Sequence, residues 1–261
     1  MISKMPLLFI GHGSPMNGIQ NNKFTYEWKN IFSGIAKPKA ILGISAHYLT
    51  KGTFVTANEK PPTIYDFGGF PEELYKVKYP AKGDISLANK IISLAKDIGI
   101  IASINWGLDH GIWTVLNKMV PEADIPVVQL SMDYQKSTEW HYNFAKFFKP
   151  LRDEGILIIG SGNLVHNLGM VDFSSIDKIG YGYDWAFNIN NLFKQKISDG
   201  DHTTLINYHK LGKEAMMAIP SNEHFLPALY ILGLMEEKEK VTFFNDDLVG
   251  GSLSMTSFKI C

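Results

Sequence analysis

Eight histidines are spread along a chain of 261 residues, and four of them stand in a repeated local setting. LLFIGH ends at His12, AILGISAH at His47 and INWGLDH at His110; in each, an apolar run gives way to a small residue or turn and then an imidazole. ILIIGSGNLVH brings His166 one turn further on, past a Gly-Ser-Gly break. In an open α/β sheet, ligands bind outside the carboxyl ends of the parallel strands, which share one edge. Four imidazoles at four such ends converge in space although they are scattered in sequence. Imidazole is the commonest protein ligand of divalent transition metals. Convergence without a thiolate points to Zn, Fe(II), Cu or Ni. A lone histidine after a strand is more often a hydrogen-bonded structural residue, but four at the same kind of position favour a metal centre.

The remaining candidate is His224, in IPSNEHFLPALYILG. Ser221 or Asn222 is expected to cap a helix there, which puts His224 in its first turn, with Pro227 tolerated so near the start. The positive end of the helix dipole favours a neutral imidazole, the form a metal requires. Adjacent Glu223 is the rival ligand. His141, beside Trp140, and His202 and His209, in a polar helical stretch, read as surface or structural residues.

The elements that must position these groups follow an α/β rhythm, in which short, nearly continuous apolar runs alternate with amphipathic stretches. Strands are expected at Leu7–Ile10, Ala40–Ser45, Ile101–Asn105, Pro126–Leu130, Ile156–Ile159, Val241–Asn245 and Ser252–Phe258, with short edge strands at Thr53–Thr56 and Tyr75–Tyr79. Helices are expected at Phe24–Ile35, Ile85–Asp97, Ile112–Met119, Thr138–Leu151, Tyr183–Ser198, Asp201–Tyr208 and Phe225–Glu237. Asp84 is the expected N-cap of the second, and Gly99 its end. No polar linker divides the chain, so one domain over residues 1–261 is expected. The stretch PPTIYDFGGFPEELYKVKYP, Pro61–Pro80, has no helical period. An ordered loop of that length is either functional or a packed cover over apolar surface.

Bulk properties narrow the function. A hydrophobic fraction of 45% supports a substantial core. A net charge of -1 offers no broad basic surface for nucleic acid and no polybasic stretch for an anionic membrane. The one cysteine, Cys261, rules out an internal disulfide or a thiolate cluster. The apolar run Leu7–Ile10 is too short for a signal-peptide core, and a cytoplasmic location is expected.

GHGSPM with His12, SAHY with His47, YDFGGFPEELYKVKYPAKG, GLDHGIW with His110, GSGNLVHNL with His166 and EHFLPALYILG with His224 together resemble the 4,5-DOPA extradiol dioxygenase family of the class III extradiol ring-cleaving superfamily. Each motif is weakly specific, but their order and spacing over essentially the whole chain are strongly so. The resemblance implies one α/β domain around a central mixed, largely parallel sheet flanked by helices, with a single divalent metal at the carboxyl edge of the strands. It implies His12, His47 and His224 as ligands, His166 as catalytic base and as a fourth ligand where zinc is bound, and His110 as the second catalytic histidine. The wider superfamily has glutamate as third ligand, where the motif here places His224. Fe(II) is then expected for catalysis and Zn(II) in the protein as isolated. The implied partners are a small aromatic diol such as DOPA and O2, and the implied state is a monomer or weak homodimer.

On that reading His166, with an ordinary imidazole pKa of about 6.5, takes a hydroxyl proton, and His110 hydrogen-bonds substrate or dioxygen and donates a proton later. Tyr65, Phe67, Phe70 and Tyr75 are expected to wall a flat pocket, unless they simply pack on the core. Ser14, Asn163 and Tyr230 are candidate polar contacts to substrate. The principal alternative is a zinc hydrolase, with the same three histidines activating water and Glu223 or Asp109 as base; no HExxH motif accompanies it. A metal-binding protein without turnover is a second alternative. A serine hydrolase has little support, because GSGNL does not meet G-x-S-x-G.

Overall fold

Six strands carry the site: β1 (Leu7–Gly11), β2 (Ala40–Ser45), β3 (Val127–Gln129), β4 (Ile156–Gly162), β5 (Val241–Phe244) and β6 (Ser257–Ile260). In the computed structural model, which describes residues 4–261, they form one sheet in the order β3-β2-β4-β1-β6-β5. β3, β2, β4 and β1 run parallel, while β6 lies antiparallel to β1 and β5 antiparallel to β6. The parallel four therefore end on a common edge, and β4, in the middle, touches the strands that lead to His12 and His47.

The runs in β1, β2 and β4 are buried along their whole length because both faces of the sheet are covered. Alternation along each strand divides the core in two. Leu7, Phe9, Leu42, Ile44 and Ile158 face one layer, packed with the helices Ile85–Leu94, Thr138–Ala145 and Leu226–Leu234. Leu8, Ile10, Ile41, Leu157 and Ile159 face the other, packed with Lys23–Ser33 and His110–Met119. The helix Leu226–Leu234 is apolar all round, and each of its nine residues is buried. It lies so close to β4 that a Cβ on Gly162 would stand 2.1 Å from the His224 carbonyl oxygen. Glycine at the end of β4 is thus what lets the His224 turn close over the strand.

Asp84 caps its helix by accepting from Leu87 N, and Gly99, at φ 77°, ends the short 3-10 turn that follows it. Other expectations are corrected. Ile101–Ser103 lies outside the central sheet and pairs with Phe54–Thr56; the 54% exposure of Ile101 places it at an edge. Ser252–Phe258 resolves into two strands, Leu253–Ser254 and β6. Tyr75–Tyr79 is not a strand: Glu72–Lys76 is a short helix, with two acids in its first turn and a lysine in its last, matching the dipole. Thr138–Leu151 breaks into Thr138–Ala145, a 3-10 turn and Lys149–Asp153, with Pro150 near the start of the last piece, where its missing N–H costs nothing. Lys213–Ala218 is an additional helix. Among the described residues, no helix is long and apolar enough to cross a membrane.

Candidate metal centre

His12 directly follows β1, and its N–H donates to Gly162 O at 3.1 Å. His47 lies two residues past β2, where Ala46 N–H donates to Ser161 O. His224 reaches the same edge from the other side, and its carbonyl accepts from Asn163 N–H at 2.9 Å. The end of β4 thus ties down all three segments. Their side chains meet: one ring nitrogen from each of His12, His47 and His224 lies within 4.8 Å of the other two. The Nε2 atoms of His12 and His47 face each other at 3.2 Å.

The far side of each ring is held by oxygen. His12 Nδ1 lies 3.0 Å from Ser161 Oγ, and Ser161 passes its own hydrogen to Gly111 O. His47 Nδ1 stands 3.1 Å from Asp66 Oδ2. His224 Nδ1 lies 3.2 Å from Glu223 Oε1, which also accepts from Ser221 Oγ. An oxygen behind each Nδ1 favours the tautomer whose Nε2 lone pair faces inward, the usual arrangement behind a metal-bound histidine. Burial, and then the neighbouring imidazoles, hold His12 and His224 well below the ordinary histidine range. The same two causes bring His47 down to about 3. All three are neutral at pH 7, as ligands must be. Three neutral, convergent nitrogens, two on buried rings and one on a half-buried ring, are a donor set fit for one divalent metal.

Two further imidazoles complete the cluster. His166 stacks flat on His224, with centroids 3.5 Å apart and planes 6° apart. Burial outweighs the nearby Glu223 charge and lowers its pKa to about 4, below the ordinary value expected from sequence; it is a neutral acceptor at pH 7. His110 is the first residue of its helix and lies 3.8 Å from His47 and 5.5 Å from His12, ring to ring. It does not follow a strand of the central sheet, contrary to the expected pattern. Gly111 makes the approach possible, since a Cβ there would meet Ser45 Oγ at 2.4 Å. His224 sits in the turn before Leu226–Leu234 rather than in its first turn, and neither Ser221 nor Asn222 is its N-cap.

The other named residues divide. Phe67 presents its ring edge-on to His110 at 5.4 Å, and Phe70 and Tyr75 pack on Phe67 rather than on the histidines. The Tyr65 hydroxyl donates to Val77 O and pins the aromatic loop. Ser14 Oγ caps the 3-10 turn Pro15–Gly18. Asn163 is buried, with its amide donating to Ser254 O and its Oδ1 unpartnered. Tyr230 is corrected: its hydroxyl bonds His141 inside the helical layer, not the site. Asp109 is fully buried with both oxygens engaged, one by Ser45 Oγ at 2.6 Å and one by Gln129 Nε2 at 2.7 Å, which speaks against a role as base toward water.

Two polar residues of the site were not singled out from sequence. Ser161 lies in the Gly-Ser-Gly break, considered only as a nucleophile, and Asp66 lies in the aromatic loop, considered only for its rings. Asp66 Oδ1 accepts from His110 N at 2.9 Å, and Oδ2 lies 2.8 Å from His110 Nδ1. Burial pushes its carboxyl up, but the hydrogen bonds from His110 and the nearby imidazoles outweigh that and hold it below the usual range.

Fold and site together define an α/β protein with a cluster of histidines that could hold a metal at the carboxyl edge of a mixed sheet. Residues 3–252 match the family of the catalytic LigB subunit of aromatic ring-opening dioxygenase, and the chain belongs to that family. It is similar to the 4,5-DOPA dioxygenase extradiol of Escherichia coli (strain K12), with 42% identity over 99% of this chain and 95% of that protein. It is also similar to the 4,5-DOPA dioxygenase extradiol of Beta vulgaris, with 38% identity over 96% and 94%. A crystal structure of an uncharacterized protein from Escherichia coli K12 superposes with a TM-score of 0.85 at 38% identity, over 99% of this chain and 100% of that one. The protein is therefore an enzyme of the extradiol ring-opening dioxygenase class, and the hydrolase alternative is not favoured.

Proposed function

We propose that the protein opens the ring of a catechol-type substrate such as DOPA, incorporating both atoms of O2 to give a semialdehyde acid. The observation that carries this reading is the convergence of the His12, His47 and His224 nitrogens on one space, with His166 and His110 beside it. His12, His47 and His224 would hold one divalent metal. When bound, that metal supplies Lewis acidity toward the two diol hydroxyls and, as Fe(II), the electron-transfer path that lets dioxygen react with the ring. Three neutral ligands would leave its charge uncompensated, which favours an anionic diol over a neutral one.

The chain's own groups do the rest. A ring nitrogen of His166 takes a hydroxyl proton as general base, since the imidazole is neutral at pH 7. His110 lies on the opposite flank of the ligand cluster, beside His47, and hydrogen-bonds substrate or dioxygen there. Phe67 supplies a flat apolar wall against His110 and keeps water from the reacting ring. The names of the relatives support DOPA as the first substrate to try. Small diffusible substrates and a net charge of -1 suit a cytoplasmic enzyme that needs neither a nucleic acid nor a membrane.

The test is reconstitution with Fe(II) or Zn(II) under argon, followed by a catechol panel that includes DOPA, and then air. Oxygen uptake with a yellow chromophore, given by Fe(II) and not by Zn(II), is the expected result. No uptake with any diol after iron loading would overturn the reading.

A further inference from the structure

One carboxylate, Asp66, touches both a candidate ligand and a candidate catalytic histidine. Its two oxygens grip one residue at two points: Oδ1 accepts the backbone N–H of His110 at 2.9 Å, and Oδ2 lies 2.8 Å from Nδ1 of the same residue. Oδ2 also stands 3.1 Å from Nδ1 of His47. Asp66 is itself held. Tyr65 before it is tied to Val77 O, and Phe67 after it lies edge-on against the His110 ring. An ionised carboxylate only accepts hydrogen bonds, so a histidine nitrogen that bonds to it must carry the hydrogen.

We propose that Asp66 is the positioning residue of the reaction: its two-point grip fixes the ring of His110 with Nδ1 protonated and Nε2 bare and turned toward the substrate, and its second contact aligns His47 in the same way. His110 then meets the diol first as a hydrogen-bond acceptor at Nε2, and not as the donor that a free choice of tautomer would allow. One loop residue sets the geometry of a ligand and of a catalytic histidine together, so the aromatic loop that walls the pocket also aligns the chemistry. This rests on the dioxygenase reading only for its kinetic consequence.

The first arm of the test does not need turnover. Long-range proton–nitrogen spectra of 15N-histidine protein with Zn(II) added report the tautomer of each ring, and His110→Gln assigns the His110 signals. The wild type is expected to show His110 with hydrogen on Nδ1, and Asp66→Asn and Asp66→Ala are expected to move those signals; Asn keeps the shape should Ala fail to fold. A His110 with hydrogen on Nε2 in the wild type, or signals unmoved in Asp66→Asn, overturns the proposal.

The second arm uses Fe(II)-loaded protein. Asp66→Asn should lower kcat by about tenfold to a hundredfold, as loss of a partner behind a metal-site histidine does, with KM within about threefold. In a His110→Gln background the same substitution should cost clearly less than in the wild type, because only the share that passes through His47 remains. A full loss in that background overturns the positioning role. A wild type inert toward every catechol defeats the dioxygenase reading alone, and the spectra still decide the role of Asp66.

Discussion

His12 and His141 are equally buried, 1% and 0% exposed, yet they are different kinds of residue. Both ring nitrogens of His141 are claimed by the fold: Nδ1 lies 2.8 Å from the Tyr230 hydroxyl and Nε2 lies 3.1 Å from Asp133 O. In His12 only Nδ1 is claimed, by Ser161, while Nε2 faces His47 Nε2, a nitrogen of the same kind. Basicity does not separate the two. Burial lowers His141 to about 4, and it is the largest cause of the depression in His12 as well. What sets a candidate ligand apart is therefore an unclaimed nitrogen facing its own kind. A buried ring or a depressed pKa alone describes a satisfied core histidine just as well.

The sharpest way to break this contrast is to remove the unclaimed nitrogens. His12→Ala and His224→Ala are expected to lose bound metal by elemental analysis and to fall to background in oxygen uptake, whereas a variant still holding one metal per chain would dissolve the distinction. Next in size, His166→Ala should keep its metal and lose about a hundredfold to ten-thousandfold in turnover, the range for a lost general base; near-normal kcat would show that the stacked ring is a bystander. Ser161→Ala should weaken metal binding by about tenfold to a hundredfold in a chelator competition, because the oxygen behind His12 Nδ1 is gone.

The smallest effect on the site falls on the other side of the comparison. His141→Phe should leave metal content and turnover unchanged, and should cost about 1–3 kcal/mol in urea unfolding, because the buried Tyr230 hydroxyl loses its partner and the Asp133 carbonyl keeps only Lys136 N–H. That cost should depend on pH. The folded pKa of His141 is lowered to about 4, against about 6.5 in the unfolded chain. Its contribution is thus complete above about pH 6.5 and fades as the pH falls toward 4, where the unfolded chain has taken up a proton and the folded protein has not. The gap between wild type and His141→Phe should narrow over that window by up to about 3 kcal/mol; a gap that widens on acidification would reverse the sign.

Much of the scaffold was legible in particular residues. Leu7–Ile10, Ala40–Ser45 and Ile156–Ile159 read as strands because both faces are buried, and a continuous apolar run has few other uses. Asp84 read correctly because capping is local, whereas the helix stops at Leu94 and Gly99 ends the 3-10 turn after it. Ile101–Asn105 looked like one more central strand, but nothing in its run distinguishes pairing with the main sheet from pairing with Phe54–Thr56 at an edge. Tyr75–Tyr79 was misread because alternating aromatics also suit a short helix and an extended tail packed under a loop. Tyr230 was expected as a polar contact to substrate, but the helix turns its hydroxyl toward His141 inside the helical layer.

The sequence by itself pointed to imidazoles that the fold gathers at one edge. Their placement at the ends of buried runs, where parallel strands share an edge, is a property of the chain's own pattern, and it selects His12 and His47 without coordinates. Only the tertiary structure decided what stands behind each ring. The Ser161 hydroxyl, the Asp66 carboxylate and the unclaimed inward nitrogens are relations between segments far apart in the chain. A hydrogen bond is set by a few tenths of an ångström and by direction, and no spacing along a sequence encodes either.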